Sequence, residues 1–207
     1  MPPLPPYDPG LEAIVATRGI SKGLAQTEGP QLLAKGYVTI GSLQVGAQYK
    51  NIDSPVADAE AAAFATYTPK LEAVQLTLTA AYKFQTRVRG PADSRAFEFT
   101  IAGTRKLSSL VSVRASAVLS PDELGATRRS AYFELGSAVN LDRKTTVSGG
   151  MGRRERSGGP DYTSFNLGVS RSILKEVALD ARYYTTSHTE LGEIYHGRVV
   201  ASVRFKL

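Results

Sequence analysis

The sequence predicts an all-β fold: a transmembrane antiparallel up-and-down β-barrel of about twelve strands, with short periplasmic turns and longer extracellular loops. Three observations predict it. Apolar and polar residues alternate in run after run, with almost no helical i, i+3, i+4 stripe. The runs are about ten residues long, against roughly five or six for soluble strands. At about 3.3 Å per residue and a tilt of about 40°, such strands span the roughly 25 Å apolar band of an outer membrane. The connections also alternate, short then long, as hairpins inserted turn-first require.

Strands are expected over residues 12–19, 31–40, 43–51, 60–68, 73–86, 96–105, 110–119, 130–141, 145–154, 162–172, 177–186 and 198–207. The clearest sets Val74, Leu76, Leu78, Ala80, Tyr82 and Phe84 on one face and Gln75, Thr77, Thr79, Ala81, Lys83 and Gln85 on the other. Leu43, Val45, Ala47 and Tyr49 alternate in the same way with Gln44, Gly46, Gln48 and Lys50. In the last strand Val199, Ala201, Val203, Phe205 and Leu207 oppose Arg198, Val200, Ser202, Arg204 and Lys206. The first strand and the one at 60–68 have ambiguous phases, so ten strands is the alternative count. Short turns are expected at 41–42, 69–72, 106–109, 142–144 and 173–176, and long loops at 20–30, 52–59, 87–95, 120–129, 155–161 and 187–197.

Tyr49, Tyr82, Phe84, Phe97, Phe99, Phe165 and Tyr183 form an expected outer aromatic girdle at the long-loop end, with Phe205 at the other. The competing reading buries these rings inside a soluble lipocalin-like barrel. The run Gly149-Gly150-Met151-Gly152 lacks the Gly-Lys-Ser/Thr ending of a phosphate loop and reads as a strand whose small residues permit close packing.

With 207 residues, 42% hydrophobic and 21% charged, the chain reads as one folded domain: a barrel over 11–207 preceded by a Pro-rich periplasmic tail over 1–10. No run approaches the roughly 18 apolar residues of a membrane helix. The absence of cysteine excludes disulfides and thiolate metal sites. The net charge of +6 arises from basic residues spread along the chain without a Lys/Arg block, which points to small anionic partners and not to nucleic acid. Residues 1–10 have neither the charged nor the apolar region of a secretory signal, so the expectation is that a signal peptide has been removed; a cytosolic protein without one is the alternative.

Two segments resemble the TorF-type porin family of proteobacteria. Thr17-Arg18-Gly19-Ile20-Ser21 and Gln26-Thr27-Glu28-Gly29-Pro30 are similar to that family's early Arg-Gly-(Val/Ile)-Ser-Gln-(Thr/Ser)-(Asp/Glu) segment, with Lys22 to Ala25 as an insertion. Asp161-Tyr162-Thr163, Asn166 to Ser170, Leu179 to Tyr184 and Gly197 to Val203 resemble its closing hairpin. Residues 52–130 match only in strand pattern, so about half the chain carries the resemblance. It implies an outer-membrane barrel with a channel function and brings no catalytic residues. The final strand, with Val203, Phe205 and a terminal Leu207 in place of the usual Phe, fits recognition by the barrel-assembly machinery.

If the apolar faces meet lipid, the strand phases put Lys35, Lys50, Lys83, Glu98, Arg114, Glu134, Arg154, Asp180, Arg182, Arg198, Arg204 and Lys206 in the lumen, with an excess of positive charge. Counting along adjacent strands pairs Asp180 with Arg204, Glu98 with Lys83 and Glu134 with Arg154. Lys35, Lys50, Arg114, Arg182, Arg198 and Lys206 are left to set an anion-favouring field. The function expected is a channel for passive diffusion of small, preferably anionic solutes, needing no cofactor or metal. A closed barrel without conductance is the second reading. A lipid-active enzyme is the third and weakest, because both histidines, His188 and His196, fall in one loop with Ser187 alternating away. Arg87, Arg89, Arg95, Arg128, Arg129, Arg153 and Arg156 are candidates for lipopolysaccharide phosphates, or else ordinary solvated charge. A monomer is the default state.

Overall fold

Alternation becomes a wall with two chemically different faces because successive strand side chains point to opposite sides. The computed structural model describes residues 7–54, 57–89, 93–124 and 128–207. The strands are β1 Tyr7–Ala16, β2 Ile20–Ser21, β3 Leu24–Ala25, β4 Gln31–Ile40, β5 Leu43–Ser54, β6 Ala57–Tyr67, β7 Gln75–Thr86, β8 Arg95–Lys106, β9 Val111–Asp122, β10 Arg129–Asn140, β11 Thr145–Ser157, β12 Tyr162–Ser172, β13 Val177–Thr186 and β14 Arg198–Lys206. Twelve of them, β1 and β4 to β14, close an antiparallel barrel in sequence order, with β14 returning to β1. The other two, β2 and β3, form a separate hairpin. Closure removes every free sheet edge along the paired length, which is what a barrel in lipid requires.

The outer face carries large apolar side chains that remain exposed, among them Leu78, Leu135, Leu167 and Val199. Phe97, Phe99, Phe165 and Tyr183 stand on that face at 43–50% exposure, which rules out the core-filling role of a soluble barrel. A continuous apolar band around the whole wall is a lipid-facing surface. Tyr7, Tyr67 and Phe205 add exposed rings at the short-turn end.

The turns follow their side chains. Gly41 takes a φ of 60° in the two-residue β4–β5 connection, a conformation glycine adopts without a Cβ penalty. Asp142 accepts the Lys144 and Thr145 amides at 2.6 and 2.8 Å, and Ser108 accepts those of Leu110 and Val111 at 3.2 and 3.0 Å.

The main departures from the pattern lie at strand ends. The first strand spans Tyr7–Ala16, not 12–19, and pairs with β4 from Tyr7↔Ile40 to Ala16↔Gln31. Tyr7 to Gly10, expected in the tail, therefore belong to the wall. Pro9 is tolerated there because β14 pairs only from Glu12 onward, leaving that segment paired on one side. Residues 1–6 of the expected tail lie outside the described residues. The expected loop at 52–59 is largely strand, since the β5–β6 ladder continues past Lys50↔Glu60 through a bulge between Asn51 and Ser54. Likewise β11 runs to Ser157, leaving a short connection over 158–161. Parts of the expected loops at 87–95 and 120–129 lie outside the described residues.

Candidate functional site

The long connection over 17–30 does not stand outside the barrel; it folds into it. Its tip is the β2–β3 hairpin, with Lys22 at φ 51° and Gly23 at φ 85°, the pair of left-handed residues that a tight two-residue turn of matching twist needs. A lysine held in that region costs about 1 kcal/mol, so surrounding contacts must hold it. They come from across the barrel. The Tyr162 hydroxyl donates to the Lys22 carbonyl at 2.8 Å, Gly23 rests against Ser164, and Leu24 is buried with Tyr162 and Tyr195. Tyr162 and Tyr195 meet edge to face at 5.6 Å. Toward β5, Gln26 receives the Lys50 ammonium at 2.7 Å and the Asp53 amide at 2.7 Å.

Around the tip lies a charge network. The Lys22 ammonium is 2.6 Å from Glu98 and 3.4 Å from Glu123; Glu98 also holds Lys83 at 2.8 Å; Arg154 pairs with Glu123, and Lys50 with Glu60 at 3.1 Å. Burial pushes the Lys22 ammonium down to about 8, against the opposing pull of Glu98. One oxygen each of Gln85 and Glu123 and the Nε of Arg154 lack hydrogen-bond partners among the described residues. These three residues border a 190 Å³ polar cavity beside the hairpin, where water is the natural partner.

On the short-turn side of the hairpin the lumen opens into two chambers. One, of about 390 Å³, is lined by Lys22, Gly23, Arg114, Tyr132, Glu134 and Arg182 among others; the second, of about 420 Å³, by Arg18, Gln31, Asp180, Arg182 and Arg204. Ile20, Arg182 and Tyr184 border both. Two glycines shape these walls. Gly152 leaves room for the Tyr132 ring, whose hydroxyl meets Ser164 at 2.9 Å and donates to Glu134 at 3.1 Å. At Gly168 a Cβ would approach the Arg182 stem at 2.8 Å, so its absence lets that arginine lie along the wall.

By ladder register the twelve residues expected in the lumen share a face with chamber-lining residues such as Leu33, Asn166 and Tyr184, and their partners differ from the adjacent-strand count. Glu98 does pair with Lys83. Arg154 does not pair with Glu134; it reaches the longer-range Glu123. Nor does Asp180 pair with Arg204: it accepts Ser170 at 2.6 Å and Arg182 at 3.2 Å, while Arg204 lies 3.4 Å from Glu12. Three cations expected to lack partners have them. Lys50 holds Glu60; Arg182 also donates to Asn166 and Ser148; Arg198 donates to the Glu193 and His196 carbonyls. Lys35 sits 4.6 Å from the Phe64 ring centre and 5.3 Å from that of Tyr37. Arg114 and Lys206 make no ion pair among the described residues.

The barrel fold recurs in solved structures. The chain superimposes on the KdgM porin with a TM-score of 0.66 at 9% identity, covering 95% of this chain and 98% of that one. It does so on the NanC porin with 0.64 at 6% identity, covering 95% and 97%. For the COG4313 outer membrane channel from Pseudomonas putida F1 the values are 0.55 and 11%, covering 99% and 95%. The chain has a porin fold. No family model matches the sequence, and no curated protein matches it.

Within this porin fold several interior groups escaped the sequence pattern: Glu12, Arg18, Lys22, Glu60, Glu123, Tyr132, Tyr162 and Tyr184. The Lys50↔Glu60 register was available to a full count of the β5–β6 hairpin; Lys22-Gly23 was visible only as a turn-type dipeptide. Arg156, expected outside, turns inward, 5.6 Å from the Tyr162 ring centre and donating to the Tyr195 hydroxyl at 2.7 Å. Arg89 and Arg153 meet Asp58 and Asp161 at 2.7 and 3.3 Å. In the last loop His188 faces Glu190 at 2.7 Å and His196 faces Glu193 at 3.0 Å, whereas the Ser187 hydroxyl accepts the Thr163 amide.

Proposed function

We propose that this chain is a bacterial outer-membrane channel for passive diffusion of small, preferably anionic solutes. The observation that carries the reading is the composition of the two chambers: Arg18, Arg114, Arg182 and Arg204 face Glu134 and Asp180, and Arg114 has no acidic partner among the described residues. An excess of fixed cations beside an aqueous path lowers the barrier for anions and raises it for cations. The similarity to the KdgM porin, solved also in complex with disordered oligogalacturonate, is in keeping with this.

The same reading makes the chain a member of the TorF-type group, a monomer with its short turns and any tail in the periplasm and its long loops outside, inserted by the barrel-assembly machinery. Arg95, Arg128 and Arg129, all exposed at the long-loop end, are then the groups available to lipopolysaccharide phosphate. It is a transporter and not an enzyme; no residue cluster is given a catalytic role.

A closed barrel is the second reading, favoured by the deep burial of Lys50, Glu60 and Arg154 around the hairpin. Swelling of proteoliposomes in solutes matched for size and differing in charge separates the two. The channel reading expects faster entry of the anionic solute; no swelling in any solute supports the closed barrel.

A further inference from the structure

We propose that the Ile20–Ala25 hairpin is the selectivity filter of the channel: its Lys22-Gly23 turn sets the size limit and the Lys22 ammonium biases the passage toward anions. This rests on the channel reading above and names the element that does the selecting.

Position carries the first half. Ser21, Lys22, Leu24 and Ala25 border the cavity on the long-loop side, while Ile20, Lys22 and Gly23 border the 390 Å³ chamber on the other. The hairpin therefore separates the two, and Lys22 is common to both. Charge carries the second half. Three carboxylates, Glu60, Glu98 and Glu123, face the four cations Lys22, Lys50, Lys83 and Arg154. Glu98 keeps Lys83, Glu123 keeps Arg154 and Glu60 keeps Lys50 without any help from Lys22, so the cation that the hairpin brings is the excess charge of this network.

The hairpin is fixed and not a swinging gate. Glu98 on β8, Glu123 after β9, Tyr162 and Ser164 on β12 and Tyr195 in the last loop hold it, and Lys50 and Asp53 on β5 hold the adjoining Gln26. A filter anchored in this way keeps its width while ions pass, because displacement would break contacts on several strands together.

Single-channel recording of purified full-length protein in planar bilayers tests this with three variants, each checked for heat-modifiable mobility. Lys22→Met is expected to keep the fold and lower the chloride-to-potassium permeability ratio at least about twofold. Replacement of residues 20–25 by a Gly-Ser link is expected to raise conductance at least about twofold and admit larger neutral sugars. Ser21→Cys, in a chain with no other cysteine, is expected to lose current when a charged methanethiosulfonate reagent is added.

A conducting wild type whose conductance and ion preference survive all three changes overturns the filter and leaves the channel reading standing. A silent wild type that conducts once the hairpin is removed makes the hairpin a plug and overturns the filter. Silence in every variant overturns the channel reading itself.

Discussion

Lys22 and Glu98 are 76 positions apart in the chain and 2.6 Å apart in the barrel. The contact ties a loop to the opposite wall through a carboxylate that also holds Lys83. One acid thus serves two cations from two different elements, and it is one of the contacts that hold the loop inward.

Glu98→Gln is accordingly expected to destabilise the barrel by about 1–3 kcal/mol, because it removes the acid that holds Lys83 and the nearer of the two acids that hold Lys22. Lys22→Met leaves each carboxylate with another cation and is expected to cost less, roughly 1 kcal/mol. Urea unfolding midpoints in detergent measure both, and the reverse order would count against the shared-acid arrangement.

The Lys22 ammonium, lowered to about 8 by burial, gives the selectivity a pH dependence. It is faced by Glu98 and Glu123 and by Lys83 and Arg154. Anion preference is expected to fall as pH rises from 7 to 9, with a midpoint of about 8, and to be flat in Lys22→Met. Between about 8 and the ordinary 10.5 the unfolded chain binds more protons than the folded one, so stability rises with pH in that window. A fall in anion preference there reports lost charge and not an unfolded hairpin. Reversal potentials at stepped pH check it.

Gly152→Ala is expected to displace Tyr132 and lower stability by about 1–3 kcal/mol, since the new Cβ would lie inside contact distance of the ring and its hydroxyl. Tyr132→Phe removes only the bonds to Ser164 and Glu134 and is expected to cost about 1 kcal/mol. Thermal unfolding of the two variants side by side tells steric displacement from hydrogen-bond loss.

Arg114 is exposed to the chamber, so Arg114→Glu is expected to leave the unfolding midpoint unchanged while lowering the chloride-to-potassium ratio. Unchanged selectivity in a folded protein would remove the chamber cations from the account.

How much of this could be read beforehand follows from the physics of each part. The wall was legible because a two-residue period leaves its mark in every strand: the faces expected for Gln75 to Gln85 are those of β7, and Phe97 and Phe99 stand outside as the phase requires. Strand ends were not, because the β5–β6 ladder and β11 continue into polar sequence whose side chains satisfy one another. Ion pairs were legible only between neighbours such as Lys83 and Glu98. Arg154 escapes the count because a long side chain in a narrow lumen can choose a partner outside its adjacent strands, and Asp180 because its own strand supplies Arg182. The inward course of the first loop has no period to betray it. Its traces were a turn-type Lys-Gly and one apolar residue, Leu24, that needed cover, inside the four residues that interrupt the resemblance to TorF-type porins.

The most direct measurement is the zero-current potential of the purified protein in a planar bilayer under a potassium chloride gradient. Stable single channels are expected, with a potential whose sign reports chloride as the more permeant ion. Absence of conductance, or a potential of the opposite sign, would contradict the anion-channel reading.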